Sequence, residues 1–322
     1  MIQALSDPKE IANAQRKFAR MLRANADERI KAKLPLDDKQ VYAPVFWSEK
    51  QKFWYSCITS ETRFVNAFGL EKPRPNSTVS IACEINVPAQ GANRAVGGAF
   101  TRQGKIIAVV HRGKMGGGRE TIGKSLFFTH FLGARAIITE ENGTSPVLVA
   151  AEITSEHFIR QIGQFVREVE RIKTLALLPD MRPVRDSETI LVSADPDAIV
   201  SEGLGQACDR LIVAHSLAAH FAARAYTVRP AAGNLLYAID QSGEVRYLVA
   251  LVLSPDFTVL TASLGRLLLL KARLCRPLPL IMVLPHVMIP DNANALSHYN
   301  VCGVFYAWQG NDIVFEGLSE AL

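Results

Sequence analysis

Near the middle of the chain, Leu177–Glu188 (LLPDMRPVRDSE) holds two prolines and five charged residues between segments that each have their own apolar periodicity. Proline removes a backbone donor, and clustered charge resists burial, so such a stretch reads as a linker. It directs the 322-residue chain toward two modules of ordinary domain size. The expected fold class is α/β: a basic α+β domain over residues 1–176 and a mixed-sheet α/β domain over residues 189–322. Apolar residues at 48% and charged residues at 21% are ordinary globular usage and exclude a disordered or collagen-like chain.

Charge is not spread evenly along the chain. Residues 1–150 carry 22 Lys/Arg against 13 Asp/Glu, and residues 151–322 carry 14 against 18. A basic half beside an acidic half points to a polyanionic partner for the first. The five cysteines, at positions 57, 83, 208, 275 and 302, are odd in number and form no CxxC pair, which excludes a disulfide framework or a zinc ribbon. The start, MIQALSDPKE, lacks a basic region followed by an apolar run, and no stretch approaches the ~20 consecutive apolar residues of a membrane helix. These features lead to the expectation of a soluble, cytoplasmic protein with no membrane partner.

Asp7-Pro8-Lys9-Glu10 is a helix start, with Asp7 as cap and Pro8 in the first turn. Ile11, Ala14, Phe18, Met21, Leu22 and Ala26 form an apolar stripe, and the pattern predicts a helix running until Pro35. Arg16, Lys17, Arg20, Arg23, Arg29, Lys31 and Lys33 populate its other faces, as a solvated surface or a DNA-facing one. Val79–Val87, Ala95–Thr101 and Lys105–His111 read as strands, the last two joined as a hairpin across Arg102-Gln103-Gly104. Further strands are expected over Ala134–Thr139 and Pro146–Ile153, and a helix over Ser155–Thr174.

The stretch between the hairpin and the next helix, residues 110–125 (VHRGKMGGGRETIGKS), is rich in glycine and cations. Gly113, Gly116, Gly117, Gly118 and Gly123 let the backbone approach a ligand closely, and Arg112, Lys114, Arg119 and Lys124 are interleaved, with His111 alongside. Gly118–Ser125 fits G-x-x-x-x-G-K-[ST], in which Lys124 would reach nucleotide phosphates and Ser125 would hold Mg²⁺. The preceding strand, however, looks like one arm of an antiparallel hairpin, whereas a P-loop follows a buried parallel strand. A clamp on a repeating phosphate backbone is the preferred reading, with Arg94, Arg102 and Lys105 extending the track. A glycine turn with solvated cations is the plain alternative.

Over residues 203–318 the order is helix, strand, strand, helix, strand, strand. Leu204–Tyr226 is an apolar helix, Asn234–Asp240 and Arg246–Ser254 form a hairpin, Thr258–Leu274 is a helix, and Leu278–Pro285 is a buried strand. In this order and register the segment resembles the PD-(D/E)XK, restriction-endonuclease-like family. The resemblance would put the family's metal-binding Asp at Asp240 and its Glu-x-Lys at Ala250-Leu251-Val252, so the catalytic pair is absent. It implies a nuclease-like module that does not cut and serves for docking or dimerisation. In the N-terminal half, Arg63–Gly69 (RFVNAFG), Glu84–Pro88 (EINVP) and His111–Gly116 (HRGKMG) are similar to stretches of uncharacterised bacterial proteins associated with restriction and defence systems.

The resulting expectation is a non-catalytic DNA-binding protein of a bacterial defence, restriction or mobile-element system. Double-stranded DNA would be held by Arg94, Arg102, His111, Arg112, Lys114, Gly116, Gly117, Gly118, Arg119 and Lys124, with no metal or cofactor, and the C-terminal domain would form a homo-oligomer. The alternative is an enzyme, either a nucleotide hydrolase using Lys124 and Ser125 or a nuclease with atypical acidic residues.

Overall fold

Asp7 sets the start of the first long helix. Its carboxylate accepts from the Glu10 N–H at 2.9 Å, and Pro8 stands where a missing N–H costs nothing. A computed structural model describes residues 1–36, 39–113, 123–175, 203–288 and 294–322. The chain is mixed α/β and divides into two units, Met1–Phe131 with Arg135–Met181, and Leu132–Ala134 with Arg182–Leu322. No helix among the described residues is long and apolar enough to cross a membrane.

In the first unit, β1 (Gln3–Ala4) precedes α1 (Pro8–Ala24). The helix stops well short of Pro35, at Asn25, whose side-chain amide donates to the Met21 carbonyl at 2.9 Å. Beyond it Ile30, Ala32 and Leu34 are buried while the alternating Arg29 and Lys31 are exposed, a period of two that makes a strand. This strand, β2 (Glu28–Leu36), joins β3 (Lys39–Ser48), β4 (Phe53–Thr59), β5 (Arg63–Gly69) and β6 (Cys83–Glu84) in one antiparallel sheet, and β7 (Val87–Pro88) also pairs with β5. The continuous strand expected over Val79–Val87 is therefore only two short pieces.

A closed barrel follows. β8 (Gly98–Gln103) and β9 (Ile106–His111) form the expected hairpin, with Gly104 at φ 58° in its turn. After α2 (Lys124–His130) come β10 (Arg135–Glu140) and β11 (Gly143–Glu152), and the barrel order is β1-β10-β11-β9-β8. α3 (Phe158–Leu175) completes the unit. Phe18 of α1 is fully buried where these parts meet, with ring centroids 6.5 Å from Phe68 on β5, 5.9 Å from Phe100 on β8 and 5.6 Å from Phe158 on α3.

The second unit opens with α4 (Leu204–Ala222), which ends before Tyr226 as the backbone turns through Ala225 at φ 62°. That turn frees β12 (Thr227–Pro230), a strand that the sequence pattern does not separate from its surroundings. β13 (Leu235–Ile239), β14 (Val245–Leu251), α5 (Phe257–Leu274), β15 (Leu280–Pro285), β16 (Val301–Gln309), β17 (Asp312–Glu316) and α6 (Leu318–Ala321) follow. The sheet runs β12 to β17 in sequence order, antiparallel through β14, parallel through β16, and antiparallel at β17. Leu267 and Leu270 of α5 share a core cluster with Leu248, Ala250 and Met282 of the sheet.

A buried amide pair ties α1 to its sheet. Gln15 Nε2 donates to Asn66 Oδ1 at 2.7 Å, and Asn66 Nδ2 donates to Gln15 Oε1 at 3.1 Å and to the Ile85 carbonyl at 3.0 Å. Asn66→Ala leaves Gln15 buried without these bonds and is expected to cost about 2–3 kcal/mol. A urea titration should show a lower midpoint at unchanged slope; an unmoved midpoint would show that the pair does not stabilise the fold.

Candidate nucleic-acid interface

The glycine-rich loop is the first place to look for the expected phosphate contacts. Lys114, Gly116, Gly117, Gly118 and Arg119 lie outside the described residues. The other expected contacts are engaged within the protein. His111 is fully buried at the end of β9, where its Nδ1 accepts from the Gly113 N–H at 3.0 Å. Burial, aided by the charges of Arg112 and Lys173, pushes its imidazole down to about 4, so it is neutral at pH 7. Arg112 is only 3% exposed, with Nη1 donating to Ser145 Oγ at 2.9 Å and Nη2 lying 2.5 Å from Glu140 Oε1.

Arg94 closes the same cluster from the rim. Its Nε donates to Glu140 Oε2 at 2.7 Å, and its Nη2 donates to the carbonyls of Asn142 and Thr144. Arg102 pairs with Glu10 at 2.8 Å, and the Lys124 ammonium sits 5.2 Å from the Phe128 ring centre. His111 and Arg112 are therefore corrected from surface contacts to interior groups. A neutral imidazole and a guanidinium neutralised by Glu140 cannot be presented to a polyanion without opening the barrel. The strand before the loop, β9, is antiparallel to both neighbours, β8 and β11, which is not the parallel-strand setting of a P-loop.

Asp240 also leaves its expected place. It closes the β13–β14 hairpin, accepting from the N–H groups of Ser242 and Glu244 and from Arg246 Nε at 2.6 Å. Hydrogen bonds from the Ser242 hydroxyl and Arg246 hold its carboxyl far below the usual carboxylate range. The pairing of Leu235 with Ala250 and of Ile239 with Val245 puts Ala250–Val252 at the other end of the hairpin. At ~3.3 Å per residue, Asp240 and that end are too far apart to share an ion. Asn234 stands opposite Leu251 instead, buried and donating to the Leu251 carbonyl and to Ser263 Oγ. Among the described residues, no cluster of three or more His, Cys, Asp or Glu side chains is placed to hold a metal.

The cations that gather on one surface are those of α1 and β2. Antiparallel pairing sets Arg29 opposite Phe46, Lys31 opposite Pro44 and Lys33 opposite Tyr42, and then Phe46 opposite Tyr55. Directly opposed residues share a sheet face, so three cations of β2 and the aromatic residues of β3 and β4 stand together. Ala32, Leu34, Val45, Trp47 and Trp54 form the apolar cluster on the reverse face. The Phe46 and Tyr55 rings stack 5.1 Å apart at 15°, with the guanidinium carbons of Arg23 and Arg29 at 5.7 and 6.0 Å from the Phe46 centroid. Burial raises the Tyr55 phenol well above its ordinary value, so it stays protonated beside Arg23.

Alongside, an open groove of about 890 Å³ runs between α1 and the β4–β5 hairpin, lined by Lys9, Arg16, Arg20, Arg23, Cys57 and Phe64. Burial pushes the Cys57 thiol up to about 12, so the groove floor carries no thiolate nucleophile. Among the described residues, none of Lys9, Arg16, Arg20, Arg23, Arg29, Lys31 and Lys33 is in an ion pair. Six of these seven are visible in the sequence as helix-face cations; what a helical reading misses is the alternation of Arg29, Lys31 and Lys33 with Ile30, Ala32 and Leu34. Compared with protein-family models, curated proteins and solved structures, the chain matches none.

The interior charges make stability pH-dependent. Burial opposes ionisation of Glu140, but hydrogen bonds from Arg94 and Arg112 outweigh it and hold the carboxyl below its ordinary value. His111 has a folded value depressed below the unfolded one, so from about pH 6.5 down to about 4 the unfolded chain binds more protons. Stability should fall through that window, and Glu140 should extend the loss below its unfolded value near 4.5. Urea titrations between pH 7.5 and 4 should show His111→Leu flattening the first part of this decline. Glu140→Ala, which leaves Arg112 buried without its carboxylate, should cost roughly 3 kcal/mol at neutral pH; a near-neutral effect would show that Arg112 does not depend on Glu140 for its charge compensation.

Proposed function

We propose that this protein binds nucleic acid without cutting it, gripping phosphates with the basic face built by α1 and β2. The observation that carries the reading is that Lys9, Arg16, Arg20, Arg23, Arg29, Lys31 and Lys33 line one groove and its adjoining sheet face with no ion-pair partner among the described residues. Like charges held together raise the local potential and attract a polyanion. The charge excess of residues 1–150 supports the same reading. Lys114 and Arg119 of the glycine-rich loop are kept within the proposal as a second phosphate contact.

In this reading the second unit is a nuclease-like scaffold without its catalytic set, used for self-association or docking in a restriction or defence setting. Its mixed sheet and helix–hairpin–helix–strand order support the resemblance to the restriction-endonuclease-like family. The apolar, buried Ala250, Leu251 and Val252 support a loss of metal chemistry, which needs acidic ligands.

Counterion release gives the test. Affinity for labelled nucleic acid, followed by fluorescence anisotropy, should fall steeply with salt. Arg20→Ala with Lys31→Ala should weaken binding to every sequence alike and reduce the log–log salt slope by about two, roughly one for each phosphate left without its cation. If the double variant binds as the parent does while Lys114→Ala with Arg119→Ala abolishes binding, the loop and not the α1–β2 face is the interface.

A further inference from the structure

Phosphate contacts alone would need only cations, yet the basic face also displays aromatic rings. Tyr42 lies in β3 opposite Lys33 and is 61% exposed, and the Lys33 ammonium sits 5.3 Å from its ring centre. Four residues along the same strand and on the same face, Phe46 is half-buried against Tyr55, with two guanidinium groups over it. A tyrosine ring this exposed on a strand leaves much of its apolar area in water. A ring and an ammonium side by side offer the two things one nucleotide presents, a base to stack and a phosphate to neutralise.

On this basis, and resting on the nucleic-acid reading above, we propose that the α1–β2–β3 face takes single-stranded nucleic acid, with a base stacked on Tyr42 and the phosphates running along the cations of β2 and α1. In a duplex the flat faces of the bases are covered by their neighbours, so an exposed tyrosine gains little from it. In a single strand they are open to aromatic side chains and to arginine planes. Arg29, Lys31 and Lys33 repeat every two residues, ~6.6 Å apart along the strand, and can meet successive phosphates of an extended chain. The groove continues the path under α1, where Phe64 and the un-ionised Cys57 give an apolar floor between the cations of the wall. This proposed occupant differs from the double-stranded DNA expected from charge and the glycine-rich loop.

The experiment uses the full chain and three labelled probes of one length: an oligothymidylate of about 15 nucleotides, long enough for a site of this class, the matching oligouridylate, and a duplex. The single strands should bind more tightly than the duplex at equal salt, and the oligothymidylate and oligouridylate arms separate DNA from RNA. Tyr42→Ala, at an exposed position, should lower single-strand affinity roughly 5- to 100-fold, the range set by one base–aromatic stack, and leave duplex affinity unchanged. Tyr42→Phe, which keeps the ring, should bind as the parent does. A duplex preference, or a Tyr42→Ala variant with full single-strand affinity while Arg20→Ala with Lys31→Ala still weakens binding, would overturn the stacking site and leave the polyanion interface standing. No binding of any probe at low salt would overturn both.

Discussion

The packing of Phe18 is the contact on which the first unit depends. One ring on α1 meets the sheet through Phe68, the barrel through Phe100 and the last helix through Phe158, all in edge-on or tilted arrangements that aromatic quadrupoles favour. Ile11, Ala14 and Leu22 bury the same stripe. With that stripe turned inward, the opposite side of α1 has one orientation open to it, and Lys9, Arg16, Arg20 and Arg23 are set along the groove. The apolar core thus decides where the charge is displayed.

The sheet supplies the other half of that surface by register. A slip of one residue between β2 and β3 would send Arg29, Lys31 and Lys33 to the face now occupied by Ala32, Val45 and Trp47. Burying three unpaired cations there would be prohibitive, so the apolar cluster and the basic face enforce the same pairing. The cost of this arrangement is self-repulsion among exposed cations, which solvent and salt screen at the surface and which a polyanion would relieve.

Charge inside the barrel has a different logic. Arg112 and Glu140 are both buried, so each needs the other, and Arg94 and Ser145 satisfy part of what remains. Removing one partner of such a pair is costly even where the pair itself adds little net stability. His111, packed against Phe165 with ring centroids 5.9 Å apart, is kept neutral for the same reason. The region next to the glycine-rich loop that looks most basic in the sequence is thus largely self-neutralised where it is described.

Features with a short period are legible from the residues alone: the Asp7–Pro8 cap, the inward stripe of α1, the β8–β9 hairpin, the α3 helix, and the helix–hairpin–helix–strand order of the second unit. Each rests on contacts within a few residues, which local spacing encodes. The end of α1 is not legible in this way, because an apolar stripe of period 3.6 passes into an alternation of period two without a proline or glycine between them, and Arg29, Lys31 and Lys33 then read as helical. The fates of Arg112, Arg94 and Asp240 are not written locally either. They depend on Glu140 arriving on β10, on barrel closure by β1 against β10, and on which end of a hairpin faces which partner. The sequence determined how much positive charge the first unit carries; tertiary pairing decided which cations are spent on internal carboxylates and which stand together in water, because that choice is made by residues distant along the chain.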